Sequence, residues 1–213
     1  MSKKIQKRDA EASKALIISN AIQLFSKKGY ASSSMDELAK LCGLNKAMVF
    51  YYFKNKKGLY EAVMTQVLEE IQQTILKENV KYTKPIEELE SFIRTYAKYA
   101  CAHPYLPSLL LRELSDSGAV LPEMLFGAMR QLFALFSDIL KRGEEKGCFH
   151  DAIPMVLYFM VLGTLNLMVT TKSLRVAASQ KEDIVLDTCA ACDIAEIADY
   201  IVDKMNKMLK EKI

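Results

Sequence analysis

The chain is poor in residues that break helices. Its 213 residues include only 8 Gly and 5 Pro. A β-sandwich or β-barrel needs turn residues every 8–12 positions or so, which these numbers cannot supply. Hydrophobic residues make up 51% of the chain, enough to fill a packed core, and this excludes general disorder. We therefore predict an all-α fold of long helices, in one large domain or two small ones.

The first 58 residues contain the signals of four closely spaced helices. Apolar residues from Ala15 to Phe25 recur every three or four positions, and Gly29 ends this helix. The segment Ser34-Met35-Asp36-Glu37 is typical of a capping box at the start of a short helix. Only Gly43-Leu44-Asn45 separates that helix from the next, over Lys46 to about Tyr52, so the pair is a helix-turn-helix by length and turn residues. Asn55 then caps a long helix.

Charge is distributed unevenly along the chain. Residues 1–58 hold 12 Lys and Arg against 4 Asp and Glu, a net charge of +8, whereas residues 59–213 carry −5. This asymmetry predicts that the first segment meets a polyanion, although a solvated lysine-rich surface has the same composition. We place a domain boundary between residues 58 and 59, and we expect residues 1–10 to form a disordered basic arm.

The acidic remainder, residues 59–213, is predicted to be helical throughout. Proline at a first turn and glycine after a last turn supply most of the boundaries. Besides the long helix, the predicted helices run over about Pro85–Ala102, Pro104–Asp116, Leu121–Lys146, Ala152–Ala177 and Glu182–Lys210.

An ordered set of short motifs characterises the basic segment from Ile18 to about Leu59. The set comprises Ala21, Leu24, Phe25, Gly29-Tyr30, Ser33-Ser34, Leu38-Ala39, Gly43, Phe50-Tyr51-Tyr52-Phe53-Lys54-Asn55-Lys56 and Leu59. In order and spacing it resembles the DNA-binding domain of the tetracycline-repressor (TetR) family of bacterial regulators. The resemblance implies an N-terminal three-helix helix-turn-helix domain, followed by a C-terminal helical domain for ligand binding and dimerisation.

The predicted recognition helix begins at Lys46. Such a helix enters the major groove with its N-terminal residues toward the base edges, so Lys46 is expected to reach guanine O6 and N7. Ala47 and Tyr51 face the same way and are expected to touch thymine methyl groups or the sugar–phosphate backbone. The predicted DNA-binding residues are Ser33, Ser34, Lys46, Ala47, Met48, Phe50, Tyr51, Tyr52 and Lys56.

The remaining side chains of this helix are divided between core and phosphate. We assign Val49 and Phe53 to the core and Tyr52 to a phosphate, because the three cannot all be buried. Lys56, Ser33 and Ser34 lie at helix starts, where backbone N–H groups favour an anion. Met48 and Phe50 stand where the family often has Thr and Tyr, so each lacks a hydroxyl group that would contact a phosphate.

The apolar run from Ile153 to Val169 raises the possibility of a membrane span. It is shorter than the roughly 20 residues that a bilayer needs, and polar residues interrupt it. We instead predict a helix that is buried on most sides. Two such helices, this one and the last, from each of two subunits would make a four-helix interface, and the family resemblance implies that the homodimer forms here and reads a palindromic operator. The candidate interface residues are Met155, Phe159, Leu162, Ile194, Ile197, Ile201 and Met205.

The middle helices carry many methionine and aromatic residues. The family resemblance implies an effector pocket there, and such a lining suits a lipophilic ligand, although these residues can equally fill the core. For Arg112 we expect pairing within the protein in preference to an anionic ligand. The candidate ligand-binding residues are Tyr96, Tyr99, His103, Arg112, Met124, Phe126, Met129 and Phe133.

Other chemistry is not indicated. Cys189 and Cys192 have no second pair of Cys or His nearby in sequence, so we expect neither a metal nor a redox site, and no cofactor. No catalytic motif is visible, which argues against an enzyme. The odd number of cysteines and the polar start of the chain predict the reducing cytoplasm.

Together these features predict a DNA-binding transcriptional regulator, most simply a repressor that a small lipophilic ligand releases from a palindromic operator. The ligand would act by tilting the long helix at about Lys57–Val80 and so changing the spacing of two DNA-binding domains. The alternative is a helical carrier that sequesters a lipophilic molecule without binding DNA.

Overall fold

Every regular element among the described residues is an α-helix, which confirms the predicted all-α class. The computed structural model describes residues 2–115, 122–150, 152–180 and 193–210, and it describes no side chains for residues 2–9, 122–126 and 128. The helices are α1 (Ser2–Lys28), α2 (Met35–Cys42), α3 (Lys46–Phe53), α4 (Lys56–Asn79), α5 (Pro85–Ala102), α6 (Tyr105–Ser115), α7 (Pro122–Glu145), α8 (Pro154–Thr170), α9 (Lys172–Ser179) and α10 (Ile194–Lys210).

The helices form two compact units whose division differs from the predicted boundary at residue 58. The first unit contains residues 1–68 and 108–125, and the second contains residues 69–107 and 126–213. The charge change near residue 58 marks a change in surface composition, whereas α4 continues without a break through that point. Its early apolar residues, including Leu59 and Val63, are fully buried in the first unit.

An aromatic cluster fills the core of the first unit. The Tyr60 ring lies 5.0 Å from the Phe25 ring and 5.1 Å from the Tyr30 ring, measured between centroids. Its hydroxyl group donates a 3.0 Å hydrogen bond to the carboxylate of Glu113, which is 2% exposed. The guanidinium group of Arg112 donates to the backbone carbonyl of Lys27 at the end of α1. The end of α6 therefore belongs to the same packed unit as the helix-turn-helix.

The second unit is built around α5, which packs against α8 and α10. The fully buried rings of Phe92 and Phe136 lie 5.3 Å apart in a T-shaped arrangement. Arg142 of α7 donates two hydrogen bonds, of 2.7 and 2.6 Å, to the carboxylate of Glu88. This forked pairing raises the pKa of the Arg142 guanidinium, so α7 is tied to α5 by a permanent charge.

The N-terminus differs from the disordered arm that we expected for residues 1–10. The structure places Ser2 to Lys28 in one helix, α1. Residues 2–10 contain neither Gly nor Pro and include four Lys or Arg and one Ala, which are good helix formers. Because α1 is anchored further along by packed residues such as Ile18 and Phe25, these early turns extend an existing helix and need no nucleation.

Helix α8 is buried on one face only, whereas we predicted burial on most sides. Leu157, Val161 and Leu165 are buried. The opposite face exposes Met155, Val156, Phe159, Met160 and Leu167, each by about half; we call these five residues the α8 stripe. Within the described residues no single helix is long and apolar enough to cross a membrane, and only the pair α8–α9, bent by 62°, meets that length and composition together.

Candidate nucleic-acid interface

The helix-turn-helix of the first unit is shaped by three local caps. The Ser34 hydroxyl oxygen accepts a hydrogen bond from the backbone N–H of Glu37 and begins α2. Gly43 ends α2 in the left-handed conformation, with φ of 64°, where a side chain would be strained. The side-chain oxygen of Asn45 accepts from the backbone N–H of Ala47 and begins α3. These short-range interactions fix the start of the predicted recognition helix at Lys46.

Helix α3 divides into a buried and an exposed face. Val49 is completely buried and Phe53 is 6% exposed, as the sequence predicted. On the opposite face Tyr51 is 81% exposed, and Lys46, Ala47, Met48 and Phe50 are also exposed. A helix of eight residues that shows two large aromatic rings to solvent is unusual for a surface without a partner, because exposed apolar groups of this size commonly mark a binding site.

Lys46 contacts two neighbours on this surface. Its ammonium group lies 2.6 Å from a carboxylate oxygen of Asp36 in the first turn of α2. It also lies 5.8 Å from the centroid of the Phe50 ring. Both charged side chains are more than half exposed, and an ion pair at this exposure contributes roughly 0–1 kcal/mol. Lys46 can therefore exchange this contact for DNA at little cost.

The two serines that we predicted as phosphate contacts have different roles. Ser33 is 6% exposed, and its hydroxyl group donates a 2.6 Å hydrogen bond to the backbone carbonyl of Gly29. This bond closes the turn after α1, so Ser33 is withdrawn as a phosphate contact. Ser34 is exposed, and its hydroxyl oxygen accepts from Glu37, which leaves the hydroxyl hydrogen available to a phosphate.

The Lys56 side chain contacts residues of its own unit. Its ammonium group donates to the backbone carbonyl of Ala31 and lies 4.4 Å from the centroid of the Tyr30 ring. Partial burial lowers the pKa of this amine. The neighbouring Lys54 and Lys57 are exposed, and neither forms an ion pair with a described residue. Sequence reasoning did not single out these two lysines, although both flank the cap of α4.

The cap residue of α4 is Asn55, as predicted. Its side-chain oxygen accepts a 2.8 Å hydrogen bond from the backbone N–H of Gly58. Tyr52, which we assigned to a phosphate, is half-buried, and its ring contacts the Tyr51 ring in a T-shaped arrangement. Its position is compatible with the edge of an interface formed by the exposed face of α3.

The candidate effector residues are dispersed in the structure. Tyr96 is completely buried, and its hydroxyl group donates to the side chain of Asn166, so it is a satisfied core residue. Arg112 belongs to the first unit, where its guanidinium group donates to the backbone carbonyl of Lys27. Met129 and Phe133 are half-buried. The side chains of Met124 and Phe126 lie outside the described residues, as do Cys189 and Cys192.

Tyr99 and His103 are the two candidates that line a described cavity. This cavity has a volume of about 360 Å³ and polar walls that include Thr74, Thr95 and Lys98. The Tyr99 hydroxyl group donates a 3.0 Å hydrogen bond to the carboxylate of Glu70, which does not line this cavity. Burial and this bond together raise the pKa of Tyr99, so the phenol stays protonated.

A larger cavity of about 540 Å³ lies between α5 and α10 in the second unit. Ala97, Ala198 and Ile194 contribute apolar walls. Arg94 and Lys98 line both cavities, and acidic side chains line them too: Asp193 and Asp199 in the larger cavity and Glu78 in the smaller one. Arg94 is paired with Asp199, whereas Lys98 forms no ion pair among the described residues.

The candidate dimer residues divide between the inside and the surface of the second unit. Leu162, Ile197 and Met205 are at most 6% exposed and pack within the unit, so they are withdrawn from the interface. Met155 and Phe159 are each 49% exposed and belong to the α8 stripe. Ile194 and Ile201 are partly exposed, and α10 additionally exposes Tyr200 and Met208.

Two family descriptions match this chain. "Bacterial regulatory proteins, tetR family" matches residues 17–63, which contain the helix-turn-helix. "Tetracyclin repressor-like, C-terminal domain" matches residues 82–170, and the two matches together cover more than half of the chain. The chain belongs to the TetR family. It is therefore a helix-turn-helix transcriptional regulator, and regulators of the TetR family are DNA-binding factors, not enzymes.

Relatives agree with this assignment along most of the chain. The HTH-type transcriptional repressor SCO4008 of Streptomyces coelicolor is 28% identical over 172 residues, which cover 79% of this chain and 84% of the relative. Among solved structures, the transcriptional regulator FadR of Bacillus subtilis in complex with stearoyl-CoA has a TM-score of 0.73 at 18% identity, covering 92% and 98% of the two chains. AibR in complex with isovaleryl coenzyme A and operator DNA has a TM-score of 0.66 at 19% identity, covering 92% and 97%. The comparisons give no support to the alternative of a carrier without a DNA-binding role.

Proposed function

We propose that this TetR-family protein is a homodimeric repressor that binds a palindromic operator and leaves it when a small molecule binds the second unit. The observation that carries the DNA-binding part is the exposed face of α3. Lys46 and Tyr51 project from a helix that Val49 and Phe53 anchor in the core, so the exposed side chains are held on a rigid support. The corresponding location is the bacterial cytoplasm, because operator DNA lies there.

The proposed contacts divide into base contacts and phosphate contacts. Lys46 and Ala47, at the start of α3, reach base edges. Phosphates are contacted by Ser34 and Tyr52, and by the exposed Lys54 and Lys57 in place of Lys56. Such contacts position the protein without reading sequence, and they make binding strongly dependent on salt.

The α8 stripe supports the proposed dimer. Met155, Val156, Phe159 and Met160 lie together on one face of α8, and Leu167 follows on that face after Gly163 and the exposed Thr164. A surface of this kind matches itself across a two-fold axis, since the same residues come from both copies. Tyr200 and Met208 of α10 are further exposed apolar side chains of the same unit. A two-fold dimer presents two copies of α3 to two half-sites related by the same symmetry.

Selection of bound sequences from random DNA duplexes tests whether the protein recognises a palindromic operator. Purified protein should enrich a palindrome whose half-site centres are separated by one helical turn of DNA or a multiple of it. Lys46→Glu should lower affinity for that palindrome roughly 10- to 100-fold, because it removes a base contact and adds a repulsive charge. Lys141→Glu, at an exposed position of the second unit, is the matched control and should leave affinity unchanged. Enrichment of no palindrome contradicts the proposal.

For the effector we propose an acyl thioester of coenzyme A or a similar anionic amphiphile. The 540 Å³ cavity has the size of a small-molecule site and mostly apolar walls, which suit an acyl chain. Lys98, at the border of both cavities, suits a phosphate group, whereas Arg94 is already paired with Asp199. The complexes of FadR with stearoyl-CoA and of AibR with isovaleryl coenzyme A support this class. Release requires only that the ligand bind the DNA-free state more tightly than the DNA-bound state.

Stearoyl-CoA and isovaleryl-CoA are the probes for this proposal, with coenzyme A alone as the control ligand. One of the two acyl-CoAs should raise the midpoint of thermal unfolding by roughly 5 °C and release the selected duplex. Lys98→Glu should weaken this response, whereas Lys141→Glu should not. If both acyl-CoAs leave unfolding and DNA binding unchanged, the proposed effector class is wrong, while operator binding stands on its own test.

A further inference from the structure

One acidic side chain lies at the start of a surface that is otherwise suited to a polyanion. Asp36, in the first turn of α2, has a side chain that is 59% exposed, and its carboxylate contacts the ammonium group of Lys46 at 2.6 Å. Because Lys46 is the first residue of α3, this contact places a hydrogen-bond acceptor directly beside the leading donor of the recognition helix.

Stability does not account well for this position. An exposed ion pair contributes roughly 0–1 kcal/mol. A carboxylate in the first turn of a helix also favours the helix dipole, but Glu37 already provides one in α2, and Glu37 is paired with Lys28. For a surface that only binds phosphates, a negative charge beside Lys46 would weaken binding.

Recognition of a base pair gives the Asp36 carboxylate a function. In the major groove guanine presents the acceptors O6 and N7, and cytosine presents the donor N4. Guanine O6 and cytosine N4 are hydrogen-bonded to each other in the base pair, so they are immediate neighbours. A donor and an acceptor that touch each other, as Lys46 and Asp36 do, match this arrangement. An A·T pair also places a donor, adenine N6, beside an acceptor, thymine O4, but only in G·C does a second acceptor, N7, lie next to that acceptor, so the Lys46 ammonium group can donate to both O6 and N7.

We infer that Asp36 and Lys46 read one G·C base pair of each half-site together, with Lys46 donating to guanine O6 or N7 and Asp36 accepting from the N4 amino group of cytosine. This inference rests on the proposed operator binding and adds a specificity-determining residue from α2. The ion pair of the free protein holds both side chains at the surface before DNA arrives. The negative charge of Asp36 also disfavours bases that would present an acceptor to it.

The test compares the sequences that the wild-type protein, Asp36→Ala and Asp36→Asn select from random duplexes. The wild type should enrich one G·C pair per half-site, and Asp36→Ala should reduce the preference at that pair about tenfold while other positions keep theirs. Asp36→Asn should change the preferred base at the same position, because an amide both donates and accepts. Affinity for unrelated duplexes should rise in both variants, since a negative charge is removed.

Glu11→Ala is the matched control, because it removes an exposed carboxylate from the same unit. It should leave the selected half-site unchanged. Thermal unfolding of each variant shows whether the fold is retained, and a change of base preference at one position is not an effect of lost stability. If Asp36→Ala and Asp36→Asn select the same half-site as the wild type, or if only A·T pairs respond, this inference is wrong. If the wild type selects no sequence, the proposed operator binding has failed instead.

Discussion

The double substitution Val156→Lys and Phe159→Lys is expected to give a folded monomer with an affinity for the palindromic operator roughly 100- to 10,000-fold below that of the wild type. Both side chains are about half exposed and belong to the α8 stripe. Across a two-fold axis each substitution appears twice, so four ammonium groups would face one another in an apolar surface. A monomer binds DNA through one unit, whereas the dimer binds through two linked units, and this linkage raises affinity by about the same factor.

Sedimentation or light scattering measures the mass of this variant, and titration of the selected duplex measures its affinity. Val80→Lys with Tyr82→Lys is the matched control, because it places lysine at two exposed apolar positions of the second unit outside the α8 stripe. The control should remain a dimer with unchanged affinity. A dimeric Val156→Lys/Phe159→Lys variant would remove the α8 stripe from the proposed interface.

Gly143→Ala is expected to lower the free energy of unfolding by about 3 kcal/mol, although the same change inside an exposed helix is normally stabilising by roughly 1 kcal/mol. Gly143 lies in α7 directly against the ring of Phe149, and a methyl group at this position would overlap that ring. Phe149 is 1% exposed, so the ring has little room to move.

A double-mutant cycle separates the overlap from other causes. Phe149→Ala alone is expected to cost about 3–5 kcal/mol, because it leaves a cavity in the core. Adding Gly143→Ala to it should cost little or nothing further, since the new methyl group then enters the vacated space. Urea unfolding of the wild type and three variants measures the four free energies. Additive costs would show that Phe149 is not what excludes a side chain at Gly143.

The helix-turn-helix could be predicted well from sequence because its signals act over a few residues. The caps at Ser34, Asn45 and Asn55 and the left-handed glycine at position 43 are all present in the structure. The short range of these sequence signals also explains why the prediction of a phosphate contact at Ser33 was wrong. Two adjacent serines are equivalent as a pattern, and only the turn geometry determines that Ser33 bonds to Gly29 while Ser34 begins the helix.

Features that depend on distant contacts were predicted less well. Helix α8 is apolar on all sides, so its periodicity could not show which face is buried, and Leu162 was assigned to the dimer surface although it is in the core. Tyr96 was assigned to a pocket, but its partner Asn166 lies 70 residues away in the sequence. The functional interest of Asp36 comes only from its contact with Lys46, ten residues later, across the turn.

The bonds that α6 makes in the first unit have a consequence for protein engineering. Glu113 accepts a hydrogen bond from the Tyr60 hydroxyl group inside the core. Arg112 donates to the backbone carbonyl of Lys27 in the last turn of α1. A fragment cut after residue 68 would lose both partners and open the aromatic cluster to water. A hybrid regulator that borrows DNA specificity from this protein must therefore inherit residues 108–115 together with the amino-terminal segment, because the two stretches make up one transplantable module.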